Sequence, residues 1–370
     1  MHILIAARGI GDKLGGAEES LLTLINHLAK SHRITLVNGT IETISNLSLP
    51  ESVQYFPYHI KTNLINFPFA IRSQRLIQTI ISTKNLYSYV RSIEKLIHPD
   101  IIISQKPPCP YTSKYTPTIS FIRDLEFITY FNSKSKFMFS IYYLIQFFWG
   151  LIILKKIKKN NVIITNSNYL KSILNKKKIS STVIYPFINQ NISIYQNNTF
   201  TSKKILFVSA SLAKHKGVNI LIELAKKMPN RQFLAIGRDT ERFSSEFPPN
   251  IDWHPWFNDL SHVYQEAAIL IVPSQLPETF GRVVVEAQNH GVPVIASYIG
   301  GLPESVGKGG VLVQPPDNIK RWIDSIELLF SDKIFYEKLR RNALKNAKYF
   351  NKVKMFKKFD SLLCDLLPKE

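Results

Sequence analysis

Short apolar runs alternating with amphipathic stretches set the rhythm of this 370-residue chain. Residues 2–7 form the first run, and a glycine-bearing turn with Gly9, Gly11, Gly15 and Gly16 follows. From about 17 to 30 the apolar residues Leu21, Leu24, Ile25 and Leu28 recur at helical spacing, which places them on one face. Runs at 34–37, 101–104, 118–122 and 162–165 continue the series. Short strands alternating with helices predict a parallel sheet covered on both sides.

The rhythm restarts at residues 204–209, with a helix from about 218 to 228, a strand at 232–236 and the turn at Gly237. Runs at 269–273, 292–296 and 311–313 supply later strands, and 319–367 reads as helical and basic. The pattern predicts an α/β chain of two Rossmann-like domains, residues 1–190 and 200–350, followed by a C-terminal helix at 351–370. A polar stretch within 186–203, rich in Asn, Gln, Ser and Thr, links them. A chain of this length can bury a core in each half.

One segment departs from the rhythm. Residues 137–154 hold no charge and seven aromatics, and Lys155, Lys156, Lys158 and Lys159 follow directly. Its length is marginal for a membrane span, and strands on both sides belong to one sheet, which a span would split. Either the segment is a helix buried in its domain, or it is an interfacial helix with aromatics in lipid and lysines at the headgroups. The aromatic content favours membrane contact.

Charge sharpens that choice. Residues 1–200 hold 23 Lys and Arg against 9 Asp and Glu, whereas residues 201–370 hold 24 against 18, so the excess sits in the first half. No acidic residue occurs between Phe127 and Phe200. A nucleic-acid partner is not expected, because no helix-turn-helix, RNP or zinc motif accompanies the charge; an anionic membrane surface fits better. Cys109 and Cys364 match no metal or redox spacing, and the N-terminus shows no basic leader. Both features predict a cytoplasmic protein, and the apolar segment with its lysines adds an expected peripheral position on the inner face of the membrane.

The richest chemistry lies at Pro273-Ser274-Gln275-Leu276-Pro277-Glu278-Thr279-Phe280-Gly281-Arg282, continuing through Val283–Val285 to Glu286. Two carboxylates with seven residues between them flank a Phe-Gly step where a loop enters a helix. A helix start offers unpaired N–H donors and a positive dipole end, which suit phosphate. Carboxylates on either side can accept hydrogen bonds from sugar hydroxyls, so the pattern suits a nucleotide-sugar. The plainer alternative is an amphipathic helix with solvated glutamates. Gly300-Gly301-Leu302-Pro303-Glu304 follows a second apolar run.

These segments resemble the retaining glycosyltransferases of family four, the glycosyl transferases group 1, which have the GT-B fold: two Rossmann-like domains whose parallel sheets face each other across a cleft. The resemblance implies that Glu278 meets the donor sugar, that Glu286 takes the ribose hydroxyls, and that Phe280, Gly281 and Arg282 lie at the nucleotide. Lys214-His215-Lys216-Gly217 is similar to the family's Lys-Gly pair, which assigns Lys216 to the diphosphate. The family's usual arginine five residues before that lysine is absent, the chain having Ala210-Ser211 there; Lys214 or Arg282 is left to replace it. Gly15-Gly16-Ala17-Glu18 is similar to the family's Gly-Gly-x-Glu turn near the diphosphate and acceptor. Arg123-Asp124 stands where many relatives have His, which makes both candidates for catalysis, against the alternative of a structural pair. Gly237-Arg238 and His254-Pro255-Trp256 are expected near the base. In GT-B proteins the C-terminal helix packs back on the first domain.

The implied activity is retaining, metal-independent sugar transfer from a nucleotide-sugar donor to a glycan or lipid-linked acceptor, as in surface polysaccharide or lipopolysaccharide synthesis. No cofactor is expected, and the sequence shows neither H-x-x-x-H nor Asp-x-Asp. The rivals are a nucleotide-sugar-binding protein with weakened catalysis and an epimerase or phosphorylase relative.

Overall fold

The computed structural model describes residues 1–10, 15–40, 49–60, 71–105, 111–124, 141–188, 204–256 and 259–366; the side chains of 71–75, 141–144 and 146 fall outside that description. The chain divides into two compact units, Met1–Tyr185 with Lys358–Glu370, and Pro186–Lys357.

In the first unit, β1 (His2–Arg8), β2 (Arg33–Thr40), β3 (Val53–His59), β4 (Ile101–Gln105), β5 (Thr118–Ile122), β6 (Val162–Thr165) and β7 (Thr182–Val183) form a parallel sheet in the order β3-β2-β1-β4-β5-β6-β7. Its described helices are α1 (Gly16–Leu28), α2 (Ile71–Ile97), α3 (Ile141–Ile157) and α4 (Asn168–Lys176). The Ser167 side chain caps α4 by accepting from the Leu170 N–H, as the Asn166-Ser167 turn leads one to expect.

In the second unit, β8 (Lys204–Ser211), β9 (Gln232–Arg238), β10 (Ile251–His254), β11 (Ala267–Val272), β12 (Val294–Ser297) and β13 (Gly310–Val313) form a parallel sheet in the order β10-β9-β8-β11-β12-β13. Its described helices are α5 (Val218–Lys227), α6 (Ser261–Glu266), α7 (Arg282–Asn289), α8 (Leu302–Val306), α9 (Ile319–Ser331) and α10 (Lys333–Tyr349), and α11 (Lys352–Leu366) follows, its residues from 358 on belonging to the first unit. Alternate residues of β8 serve opposite faces, as a pleated strand requires. Ile205 and Phe207 join one apolar cluster with Leu221 and Trp322; Leu206 and Val208 join the other with Val284 and Leu302.

The basic helical stretch is divided into three helices over residues 319–366. Asp332 separates the first two, its side chain accepting from the Phe335 N–H and starting α10. The last residues group with the first unit, where Phe359 stacks on Phe121 and Asp360 accepts from or pairs with His27 at 3.0 Å.

Both sheets reverse direction of winding beside their first strand, between β1 and β4 and between β8 and β11. Loops leaving the carboxyl ends of strands at such a point diverge and leave a crevice, the usual ligand position in open α/β sheets.

α3 carries most of the uncharged run; residues 137–140 lie outside the described residues. Neither sequence alternative describes it whole. Trp149, Ile153 and Ile157 are buried against Ile163, Leu170 and Leu174, while Phe147, Phe148, Leu151 and Ile152 are exposed. Among the described residues no helix is long and apolar enough to cross a membrane.

Candidate functional site

At the switch point of the second sheet, β8 runs into a single 3-10 turn, Lys214–Lys216, ended by Gly217 at φ 84°. A β-carbon there would lie 2.0 Å from the Pro273 carbonyl oxygen, so only glycine lets this turn press on the loop leaving β11. The Gln275 N–H donates to the His215 carbonyl at 2.9 Å and ties the two loops together. The outcome is a contact between residues 62 apart in sequence: Lys216 Nζ donates to Glu278 Oε1 at 2.9 Å. The Ser274 hydroxyl donates to the same oxygen. The pair is only partly buried. Burial and the neighbouring Lys216 charge hold the His215 pKa below its usual value.

The Gly300-Gly301 step backs this loop. Gly301 N–H donates to the Glu278 carbonyl at 2.6 Å, and Gly300, at φ 63°, would carry a β-carbon 2.3 Å from the same oxygen. The glycine pair is thus explained by how closely the Glu278 backbone lies against it.

Gly281 then starts α7 at φ 86° with no side-chain cap, and the positive end of a helix dipole there suits an anion. One turn later Glu286 is held at both oxygens. Arg282 Nε and Nη2 each stand 3.1 Å from Oε1, and the Tyr264 hydroxyl donates to Oε2 at 3.1 Å. Tyr264 stacks on His290 at 5.4 Å, and His290 Nδ1 lies 2.9 Å from the Glu286 carbonyl. A carboxylate has about four acceptor positions, so this one keeps capacity for a ligand hydroxyl while its direction is fixed.

In the first unit, α1 begins at Gly16 after Gly15, whose β-carbon would stand 2.7 Å from the buried Glu18 carboxylate. The Ala17 carbonyl in the first turn accepts from Gln105 Nε2 at 2.8 Å and from Arg123 Nη1 at 3.0 Å. These residues end β4 and β5, so the Gly15-Gly16 turn and Arg123-Asp124 come together at the carboxyl edge of this sheet. The Arg123 guanidinium also covers the Phe121 ring at 4.7 Å.

Residues 189–348 match the family model described as glycosyl transferases group 1. This segment is a glycosyl transferases group 1 domain. Among curated relatives, D-inositol 3-phosphate glycosyltransferase of Corynebacterium diphtheriae is 38% identical over 109 residues, which are 29% of this chain and 25% of that protein. The chain thus spans a quarter of that relative's length. Sucrose-phosphate synthase of Thermosynechococcus elongatus, at 16% identity, superposes with a TM-score of 0.77 over 98% of both chains. Alr3699/HepE of Anabaena, solved with UDP-glucose, gives 0.71 at 18% identity over 99% of this chain and all of the other. Likeness at such identity shows the fold, and the chain has the GT-B fold.

Lys216, Glu278, Gly281, Arg282 and Glu286 all fall in the group 1 domain; Gly15, Gly16, Arg123 and Asp124 lie outside the matched segment. Two side chains of the motif are strongly engaged by the rest of the second unit. The Phe280 ring is 2% exposed and meets Phe350 edge-on at 5.2 Å, so its side chain is part of the core. Arg282 is largely covered and pairs with Glu286. Arg123 is committed to a backbone carbonyl and an aromatic face. Of the expected base-side residues, Gly237 is fixed by packing, its carbonyl accepting from Trp253 Nε1 at 3.0 Å. Tyr264 and Gln105 carry no sequence signal, because only the fold brings them to Glu286 and Ala17; Ser274 sits in the Pro-Ser step of the motif itself. Among the described residues no three His, Cys, Asp or Glu side chains gather as a metal site.

Proposed function

We propose that this chain is a retaining glycosyltransferase that moves a sugar from a nucleotide-sugar to a glycan or lipid-linked acceptor, in the synthesis of surface polysaccharide or lipopolysaccharide on the cytoplasmic side of a membrane. The Lys216–Glu278 pair at the switch point of the group 1 domain carries the reading. A ligand diphosphate can take Lys216 over from Glu278, since both partners are anions. Glu278 is then released toward the hydroxyls of the donor sugar. The positive end of the α7 dipole favours phosphate nearby, and Glu286 is aimed by Arg282 and Tyr264 to receive a ribose hydroxyl.

In this mechanism the bond from the sugar's anomeric carbon to the phosphate oxygen breaks, and the acceptor oxygen bonds to the same face of that carbon. The departing phosphate takes the acceptor's proton, so no protein base is required. Lys216 lowers the energy of the leaving anion by charge alone, which makes metal independence part of the proposal. HepE, solved with UDP-glucose, supports a sugar diphosphonucleoside as donor.

A second reading is favoured by one observation. Arg123 stands near the Gly15-Gly16 turn but is bound to the Ala17 carbonyl, and the usual arginine before Lys216 is Ala210-Ser211. A protein with too few free cations at the diphosphate would bind donors and turn them over slowly. UDP-, GDP-, ADP- and TDP-sugars screened for thermal stabilisation and slow donor hydrolysis decide the matter. Stabilisation with hydrolysis supports transfer, stabilisation alone supports the binding protein, and no response to any donor rejects both.

A further inference from the structure

α3 and α4 pack on the same apolar cluster, yet their outer faces differ. On α4 the buried Leu170 and Leu174 are backed by exposed Asn168, Ser172, Asn175 and Lys176, the ordinary design of a surface helix. On α3 the face opposite Trp149, Ile153 and Ile157 carries Phe147, Phe148, Leu151 and Ile152, exposed by 43, 60, 43 and 47%. At 3.6 residues per turn these four share an arc of about 140° with Lys155, and Lys158 and Lys159 follow in the turn that ends the helix, where the Lys158 N–H still donates to the Leu154 carbonyl; all three lysines are exposed. The stripe therefore begins aromatic and aliphatic and ends in ammonium groups.

We propose that this face of α3 docks the first unit on a lipid surface containing anionic headgroups, with Phe147, Phe148, Leu151 and Ile152 in the acyl boundary and Lys155, Lys158 and Lys159 at the phosphates. Charge complementarity selects this occupant. Between Phe127 and Phe200 the chain has ten lysines and no acidic residue, so the surroundings of the stripe are cationic on α4 as well. A second copy seated here would set lysines against lysines. A nucleic acid would use the cations but leave Leu151 and Ile152 against a charged backbone. An anionic bilayer satisfies both halves of the stripe. The inference concerns where the proposed transferase works and rests on residues apart from the donor site; vesicle binding and donor binding are read separately, so either can fail without the other.

The test is flotation of the full chain with vesicles of phosphatidylcholine alone and of phosphatidylcholine with phosphatidylglycerol, at low and high salt. Wild type is expected to float with the anionic vesicles, less at high salt as the charges are screened. Lys155→Gln, Lys158→Gln and Lys159→Gln together are expected to weaken that binding about tenfold or more. Lys156 is left in place because its ammonium lies 5.8 Å from the Tyr87 ring centroid. Phe147→Ser with Phe148→Ser is expected to remove the binding that survives salt; Trp149 is spared as a core residue. A thermal melt and donor stabilisation like those of wild type establish that each variant is folded. The proposal is overturned if wild type floats with neither vesicle, if the triple Gln variant floats as wild type does, or if light scattering shows a dimer that the Phe variant abolishes.

Discussion

At the carboxyl edge of the second sheet Lys216 faces a carboxylate; at the same edge of the first, Arg123 faces a peptide carbonyl. Each cation follows a strand at the carboxyl edge of its sheet, Lys216 beside a switch point and Arg123 one strand away from one. The difference is in what can replace the partner. Glu278 and a diphosphate are both anions, so Lys216 can change partners with little net loss of interaction. The Ala17 carbonyl belongs to the first turn of α1 and also holds Gln105. To free Arg123 would remove a support from that turn and uncover the Phe121 ring. On the proposed reading the second unit keeps an exchangeable charge, whereas in the first Arg123 also supports a helix turn and an aromatic ring.

The largest effect expected from that contrast is on turnover. Lys216→Ala removes the cation assigned to the leaving diphosphate, and donor turnover should fall by about 10²-fold or more. EDTA should leave the wild-type rate unchanged. A variant that keeps its rate would place the leaving-group charge elsewhere and erase the distinction between the two cations.

Next in size is the ribose carboxylate. Glu286→Ala should weaken nucleotide binding by roughly 1–3 kcal/mol, because ligand hydroxyls lose their acceptor, and calorimetric titration measures this directly. Tyr264→Phe should cost less, about 0.5–1.5 kcal/mol, since Arg282 still holds the other oxygen. Glu278→Ala should act instead on turnover of the sugar. Equal effects of Glu278→Ala and Glu286→Ala on nucleotide affinity would contradict the division of roles.

Arg123→Ala probes the other half of the comparison and should register first as lost stability, of about 1–3 kcal/mol for a charged hydrogen-bond donor. Arg123→Lys should recover only part of it, because an ammonium lacks the planar face that covers Phe121. Denaturant unfolding reads both variants. Unchanged unfolding with lost turnover would return Arg123 to the catalytic role that its position after β5 suggests.

Much of this contrast could be read from the chain. The continuous apolar runs of β1, β4, β8 and β11 announce buried parallel strands, and Glu278, Glu286 and Lys216 stand out because loop, glycine and helix signals surround them. Other features depend on distance in sequence. β3 is a half-exposed strand interrupted by Pro57, so its alternation is blurred. Nothing near Tyr264 indicates that it will meet a carboxylate 22 residues away. α3 is apolar on every side, and periodicity cannot assign a buried face to such a helix; packing against Leu170 and Leu174 does so. Arg123 reads as a site residue because its spacing carries no trace of the carbonyl that engages it.

The smallest effect expected is on the pH dependence of stability, and it too is divided between the units. Burial lowers the pKa of His2 and His32 in the first unit and of His215 in the second. Each is thus less basic folded than unfolded, so the unfolded chain binds more protons below the free value of about 6.5. Stability from these groups is fully present above that pH and is lost as pH falls toward the folded values. The carboxylates act lower. For Asp239 burial opposes ionisation but the N–H groups of Phe243 and Ser244 outweigh it, and for Asp259 the Ser261 N–H lowers the pKa; their contribution begins to fall only near the ordinary carboxylate range. Melts from pH 8 to about pH 2 should show a shallow decline starting near 6.5, then a steeper one below about 4. His215→Gln should flatten part of the first decline. Bound donor should flatten it further, because a diphosphate beside His215 raises the folded pKa toward the unfolded one. A donor that deepens the decline would place the phosphates away from Lys216 and His215.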